Sequence, residues 1–202
     1  MGLTNAINFI DGIDGLAASI VLNSFITIIL YVYFSDYEID NFFYTEIIIV
    51  ILPILFFIFL NVSNLFKYKI FLGDSGSNFL GFFLSCFLIL YTLEDNRIIH
   101  PVLAPWCVAY PVYDMLNVII ERTSNKKNPF LRDNSHLHSK LYLIFNNNQL
   151  LVLATILLIS IFMSFFGLIV FMFMGPLFSL LSFVILFIPY FIINRILTEH
   201  AK

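Results

Sequence analysis

The chain has 202 residues, of which 60% are hydrophobic and 11% charged, and its formal net charge is −3. Soluble globular domains average about 45–50% apolar and about 25% charged residues, so a soluble fold of this size is excluded. The net charge indicates no particular partner. We therefore expect the lipid bilayer to surround the chain, and we expect no nucleic-acid partner.

Six apolar stretches approach the roughly 20 residues that a helix needs to cross a bilayer. No basic segment precedes the first stretch, so we do not expect it to be a cleaved signal peptide. Pro105 and Pro111 interrupt the fourth stretch, which predicts a bend there. The sequence thus predicts an all-α integral membrane protein of about six transmembrane helices. Their approximate bounds are Leu16–Phe34, Phe42–Leu60, Ser75–Leu93, Val102–Ile120, Leu150–Met174 and Pro176–Ile193.

The basic residues indicate how these helices are oriented. With a cytosolic N-terminus, all ten Lys and Arg residues except Arg97 fall in the inner segments. Since the inner loops of membrane proteins carry an excess of Lys and Arg, we expect both termini and a loop at about residues 122–149 to be cytosolic. We interpret residues 1–202 as a single membrane domain, because no repeat or second domain is visible in the sequence.

The segment NAINFIDGIDGLA, directly ahead of the first span, carries polar side chains at steps of three: Asn5, Asn8, Asp11 and Asp14. On a helix, such residues are neighbours along one row. Its two DG glycines leave room for another backbone or a ligand to approach. A polar helix entry with a small packing face is the alternative. Because acids at a membrane boundary are costly, we favour a binding or catalytic site.

The segment FLGDSGS opens the third span. Asp74 or Ser75 could be nothing more than the N-cap of that helix. Alternatively, the backbone N–H groups of the loop bind a phosphate while Asp74 holds a hard cation. The residues alone leave both interpretations open.

A single acid, Asp114, lies deep within the fourth span, about 10 Å along the helix from Glu121 at 1.5 Å per residue. An acid at this depth is a functional candidate. A structural hydrogen bond to a neighbouring helix explains it equally well.

The loop from Arg122 to Lys140 contains five basic residues, one acid (Asp133), and the histidines His136 and His138. A zinc site is not expected, since no cysteine lies nearby. Membrane anchoring explains the charge of the loop, whereas a cradle for a diphosphate also explains its histidines. All three polar segments are expected at the cytosolic face, where they would form one site suited to phosphoryl transfer.

Together these motifs resemble the polyprenyl-phosphate N-acetylhexosamine-1-phosphate transferases, in glycosyltransferase family 4. The resemblance rests on the Asn-x-x-Asn-x-x-Asp-Gly-x-Asp-Gly-Leu-Ala pattern from Asn5, the Phe-x-Gly-Asp-x-Gly-Ser pattern from Phe71, and a loop similar to His-x-His-His. It extends over essentially the whole chain. It implies transfer of a sugar 1-phosphate from a UDP-N-acetylhexosamine to a polyprenyl (undecaprenyl) phosphate, with release of UMP, in the synthesis of cell-envelope polysaccharides or other glycans.

The resemblance also implies roles for individual residues. Asp74 would bind Mg²⁺, with Mn²⁺ as the alternative metal, and Asn8 would be a second ligand. Phe71 would stack on the uracil base, and the loop histidines would face the phosphates or the sugar of the donor. The implied catalytic residues are Asp11, Asp14, Asp74, His136 and His138. The implied substrate-binding residues are Asn5, Asn8, Gly12, Ile13, Asn64, Phe71 and Arg132.

Two departures from the family pattern stand out. This chain has Ser139 where many relatives have the last histidine of the loop motif. The family also carries an adjacent pair of aspartates upstream of the first motif, and this sequence has no such pair. We therefore expect the chain to correspond to the C-terminal half of an enzyme in the cytoplasmic membrane.

The missing pair leaves an alternative open. The chain could be a catalytically inactive remnant, or a partner subunit that works beside a separately encoded N-terminal half or as a homodimer. A transporter is disfavoured, because the acids cluster at one boundary of the membrane and only Asp114 lies deep.

Overall fold

The computed structural model describes residues 1–35, 37, 41–63, 70–93, 97–126, 128 and 135–200. Within these ranges the chain forms α-helices and a 3₁₀ turn at Pro101–Leu103, and no strand. The helices are α1 (Gly2–Ile10), α2 (Leu16–Tyr33), α3 (Asn41–Val62), α4 (Gly73–Leu90), α5 (Ala104–Cys107), α6 (Ala109–Ser124), α7 (Leu137–Ile144), α8 (Gln149–Met174) and α9 (Pro176–His200).

Five of these helices, namely α2, α3, α4, α8 and α9, are long and apolar enough to cross a membrane. The 3₁₀ turn and α5 combine with α6 into a further span that is bent by 72°. Each predicted span therefore corresponds to a helix or a bent helix pair, and the predicted bend in the fourth span is confirmed. The chain is an all-α multi-span membrane protein.

The bend follows from the absence of an N–H group on Pro111. The carbonyl of Cys107, four residues earlier, consequently receives no hydrogen bond from within the helix. The Ser24 hydroxyl of α2, 2.7 Å away, donates to this carbonyl oxygen. A buried carbonyl in a membrane must find a partner within the protein, so α2 supplies the group that stabilises the break.

The helix α2 lies at the centre of the bundle, packed against α3, α4, α5 and α8. Buried polar side chains join it to α8: Asn23 donates to Ser160 over 3.0 Å, and Thr27 donates to Ser164 over 3.1 Å. Such bonds help to associate helices in lipid, where the hydrophobic effect does not. The helix α9, in contrast, exposes apolar side chains along most of its length, as expected for contact with lipid.

The first motif does not continue into the first span as one helix. α1 ends at Ile10, and residues 11–15 form a turn in which Gly15 adopts a positive φ of 74°. The expected single row of four polar side chains is therefore wrong: Asn5 and Asn8 lie on α1, and Asp11 and Asp14 lie in the turn. The row breaks at Asp11, the C-cap of α1, whose ψ of 55° lies outside the helical region. Gly15 then closes the turn in a left-handed conformation that other residues rarely adopt.

The short helix α1 packs closely against α4. A Cβ atom at Gly81 of α4 would lie 2.8 Å from the Cα of Thr4, so the two backbones meet where only glycine fits. This contact brings the end of α1 to the start of α4. The first two polar motifs thereby reach the same end of the bundle.

Candidate active site

A polar cleft of about 260 Å³ opens at this end of the bundle. The turn 11–15 forms one wall, and residues 71–74 at the start of α4 form another. Asn61 of α3 and Gln149 of α8 complete the lining. The helix spans therefore bring together the two motifs that lie about sixty residues apart in the sequence.

Asp74 lies in the first turn of α4, with its side chain exposed at the cleft. The N-cap position is Leu72, and no side chain caps the helix, so the interpretation of Asp74 or Ser75 as an N-cap is wrong. The amide nitrogen of Asn8 lies 3.4 Å from Oδ1 of Asp74 and donates to the Ser77 hydroxyl over 2.8 Å. The predicted pair of metal ligands, Asn8 and Asp74, is thus in contact.

The acids of the cleft crowd negative charge into a small volume. Burial, followed by the negative charges of Asp74 and Asp14, raises the pKa of Asp11 to about 6. A cation bound at the cleft would relieve this repulsion. Carboxylate and amide oxygens, such as those of Asp74 and Asn8, are also the donors that a hard cation prefers.

In metal-free solution, Asp11→Asn is expected to stabilise the protein near pH 8 and to have little effect near pH 4. The pKa of Asp11 is about 6 in the folded protein, against an ordinary value of 3.8 for an aspartate in the unfolded chain. The proton-bound form therefore stabilises the wild type below about pH 4, and this stability is lost as the pH rises through about 6. Because the group is partly exposed and screened, we expect a gain of only about 1 kcal/mol for the variant.

Thermal unfolding in detergent with EDTA, followed by circular dichroism, measures this difference. Glu199→Gln, at the exposed end of α9, is the matched control and should not show the same pH dependence. A variant at position 11 that is less stable than the wild type near pH 8 would contradict the prediction.

The third motif reaches the first one through α7. A Cβ atom at Gly12 would lie 2.4 Å from Nε2 of His138, so this ring touches the backbone of the turn. Burial lowers the pKa of His138 to about 4, and the ring is therefore neutral at neutral pH. Its Nδ1 atom is buried and has no hydrogen-bond partner within the described part of the chain. His138 thus offers a hydrogen bond, not a positive charge.

His136 is buried beside His138, with 5.6 Å between the centroids of the stacked rings. It does not line the cleft, and its Nδ1 atom lies 2.7 Å from Oδ2 of Asp114. The deep acid of the fourth span is therefore a neighbour of the loop motif. Sequence spacing does not indicate this pair, because the intervening loop sets the distance between the two residues.

Only some of the remaining predicted residues lie at the cleft. Gly12, Ile13 and Phe71 line the cleft, whereas Asn5 is exposed on α1 and does not. Asn64 and Arg132 lie outside the described residues. Sequence reasoning missed Asn61 and Gln149; the amide of Asn61 at the end of an otherwise apolar span is a signal that could have found it.

Several known proteins are similar to this chain. Residues 1–92 match the family described as glycosyl transferase family 4. The chain is 34% identical over 154 residues to the undecaprenyl-phosphate alpha-N-acetylglucosaminyl 1-phosphate transferase of Escherichia coli (strain K12), which covers 75% of this chain and 41% of that protein. No solved structure matches the chain.

Proteins with the same name in two other organisms are also similar. That of Yersinia pestis is 33% identical over 154 residues, covering 75% of this chain and 41% of the relative. That of Haemophilus influenzae is 39% identical over 90 residues, covering 44% of this chain and 25% of the relative. The chain thus spans about two fifths of the length of the first relatives that it matches.

Proposed function

We propose that the chain, whose residues 1–92 match glycosyl transferase family 4, is part of an enzyme that transfers an N-acetylhexosamine 1-phosphate from a UDP-sugar to undecaprenyl phosphate. The observation that carries the proposal is the cleft in which Asp11, Asp14 and Asp74 meet beside His138. The relatives named above transfer N-acetylglucosamine 1-phosphate, which makes UDP-N-acetylglucosamine the first donor to test.

In this proposal Asp74, with Asn8 beside it, would hold Mg²⁺ or Mn²⁺. Among the described residues, no group of three or more His, Cys, Asp or Glu side chains is arranged to hold a metal by itself. A site made of one carboxylate and one amide suits Mg²⁺, which is usually bound by one or two carboxylates together with substrate phosphates and water. When bound, the ion would neutralise charge on the donor diphosphate.

The chain's own residues would position the donor. Phe71, with 70% of its side chain exposed at the cleft, offers an aromatic face to the uracil base. The acceptor phosphate would attack the phosphorus that carries the sugar, and the bond from that phosphorus to UMP would break. Phosphoryl transfer of this kind depends mainly on positioning and charge stabilisation.

The reaction further requires the cleft to face the cytosol, where nucleotide sugars are found. We place both termini and the cleft on the cytosolic side of the cytoplasmic membrane, because all basic residues except Arg97 then lie inside. The isoprenoid tail of the acceptor would remain in lipid while its phosphate enters the cleft. A catalytically inactive remnant or partner subunit is not favoured, since the relatives are named as transferases.

Topology reporters test this orientation. A fusion after Lys140 is expected to report the cytosol, and a fusion after Asp95 is expected to report the outer side. Alkaline phosphatase, which is active only outside, and green fluorescent protein, which is fluorescent only inside, give opposite signals at each site. An outer signal after Lys140 would separate the loop motif from the cytosolic donor and contradict the proposed site.

The histidine motif provides a test of donor binding. His138→Ala is expected to weaken Mg²⁺-dependent binding of UDP-N-acetylglucosamine about tenfold or more, because a buried hydrogen-bonding ring behind Gly12, a residue that lines the cleft, is lost. Titration calorimetry on the detergent-solubilised chain measures the change.

The matched control is His100→Ala, which removes a histidine beside the 3₁₀ turn at the other end of the bundle. Donor affinity should be unchanged in this variant. Wild-type affinity in His138→Ala would show that the loop anchors the protein and does not bind the donor.

A further inference from the structure

The carboxylate of Asp114 is fully buried in the middle of α6, yet both of its oxygens are occupied. Oδ2 lies 2.7 Å from Nδ1 of His136. Oδ1 accepts the backbone N–H of Leu137 over 2.9 Å and the hydroxyl of Tyr190 over 3.2 Å. A buried carboxylate is costly unless hydrogen bonds surround it in this way.

These contacts determine where the proton of His136 resides. The backbone N–H of Leu137 can only donate, and the Tyr190 hydroxyl has Oδ1 of the carboxylate as its acceptor. A carboxylate has only acceptors to offer, so Nδ1 of His136 must carry a proton to form the 2.7 Å contact. The nitrogen turned away from Asp114, Nε2, is then the one available to other groups.

The orientation of the ring is fixed from three helices. Asp114 belongs to α6, His136 directly precedes α7, and Tyr190 belongs to α9. Further along α7, buried Lys140 bonds to Glu121 of α6 and to Asn194 of α9. One face of the His136 ring stacks on the ring of His138, which in turn touches the turn at Gly12.

We propose that Asp114 is a positioning residue for donor binding: it holds His136 as the Nδ1-protonated ring, so that Nε2 is presented in a fixed orientation next to His138. This inference rests on the proposed function and extends it to a residue outside the cleft. The carboxylate acts through His136 and does not itself touch the substrate. A neutral amide in its place would reverse the proton arrangement, since the Asn nitrogen would donate to Nδ1 and leave the proton on Nε2.

Nitrogen-15 NMR of histidine-labelled protein in lipid bilayers tests the first half of the inference directly. The resonances of His136 are identified by their absence in His136→Gln, and their chemical shifts report which nitrogen is protonated. We expect protonated Nδ1 in the wild type and protonated Nε2 in Asp114→Asn. Because the wild-type spectrum alone decides the first point, the test does not depend on the folding of the variant.

Donor affinity tests the second half. Mg²⁺-dependent binding of UDP-N-acetylglucosamine should weaken about tenfold or more in Asp114→Asn, as in other sites where an acid fixes the tautomer of a histidine. The matched control is Lys140→Met, which removes another buried polar anchor of α7; the lost side-chain bonds go to Glu121 and Asn194 and not to His136. It should bind the donor within about twofold of wild type and keep Nδ1 protonated.

Three results would overturn the inference: an unprotonated Nδ1 of His136 in the wild type, wild-type donor affinity in Asp114→Asn despite a reversed tautomer, or an equal loss of affinity in Lys140→Met. The last result would mean that anchoring of α7, and not the His136 proton, controls binding. Absence of donor binding by the wild type would overturn the proposed function instead, and is distinguishable because the NMR result does not involve the donor.

Discussion

Asp74→Asn is expected to reduce the transfer of sugar 1-phosphate to undecaprenyl phosphate about a hundredfold or more. A neutral amide binds Mg²⁺ far less well than a carboxylate, and the charge developing on the diphosphate would then lack its counterion. The first turn of α4 should be unaffected, since the side chain of Asp74 does not cap this helix. The loss should therefore appear in the transfer rate and not in the amount of folded protein.

The assay uses radiolabelled UDP-N-acetylglucosamine and undecaprenyl phosphate, and the lipid product is extracted and counted. The chain is co-expressed with the N-terminal portion of a relative, so that transfer can be measured. Asp36→Asn is the control, because the sequence predicts that residue in an outer loop; it lies outside the described residues. Full transfer by Asp74→Asn would remove Asp74 from the proposed metal site.

Residues 1–202 expressed by themselves are expected to form no lipid-linked sugar. They span about two fifths of the length of the relatives, and the sequence contains no adjacent aspartates of the kind that the family places on the acceptor side. Loss of acceptor positioning removes most of the rate of a phosphoryl transfer. Weak Mg²⁺-dependent binding of the UDP-sugar should remain, since the cleft lies within these residues.

Co-expression with the N-terminal portion of a relative, including its aspartate pair, should restore measurable product. The same N-terminal portion with both aspartates replaced by asparagine is the matched control and should restore none. Robust product from residues 1–202 alone would show that the pair is dispensable and that the half-enzyme interpretation is wrong.

Hydropathy and proline placement were sufficient to predict the membrane-spanning framework. A long apolar run has few structures open to it in a bilayer, because every backbone group must be paired internally. The same reasoning predicted the bend in the fourth span from Pro105 and Pro111. The meeting of the first two motifs followed from the alternating direction of successive spans and is visible in the contact between Asn8 and Asp74.

Local geometry and distant pairs were less accessible from the sequence. The steps of three from Asn5 to Asp14 suggested one helix, but the left-handed backbone of Gly15 closes a turn instead. The pair of Asp114 and His136 depends on how the start of α7 packs beside α6. Sequence periodicity carries no information about such packing between separate elements, so the contact between Asp114 and His136 could not be predicted from the sequence.

The contact between Gly12 and His138 restricts how the sequence of this protein can change over time. The distance from a Cβ at position 12 to Nε2 of the ring, 2.4 Å, leaves no room for even an alanine unless the ring moves or shrinks. Two positions in separate motifs thus share one small volume. Variants that exchange the histidine for a smaller residue would relax the requirement at position 12, so we expect the two positions to vary together among homologues.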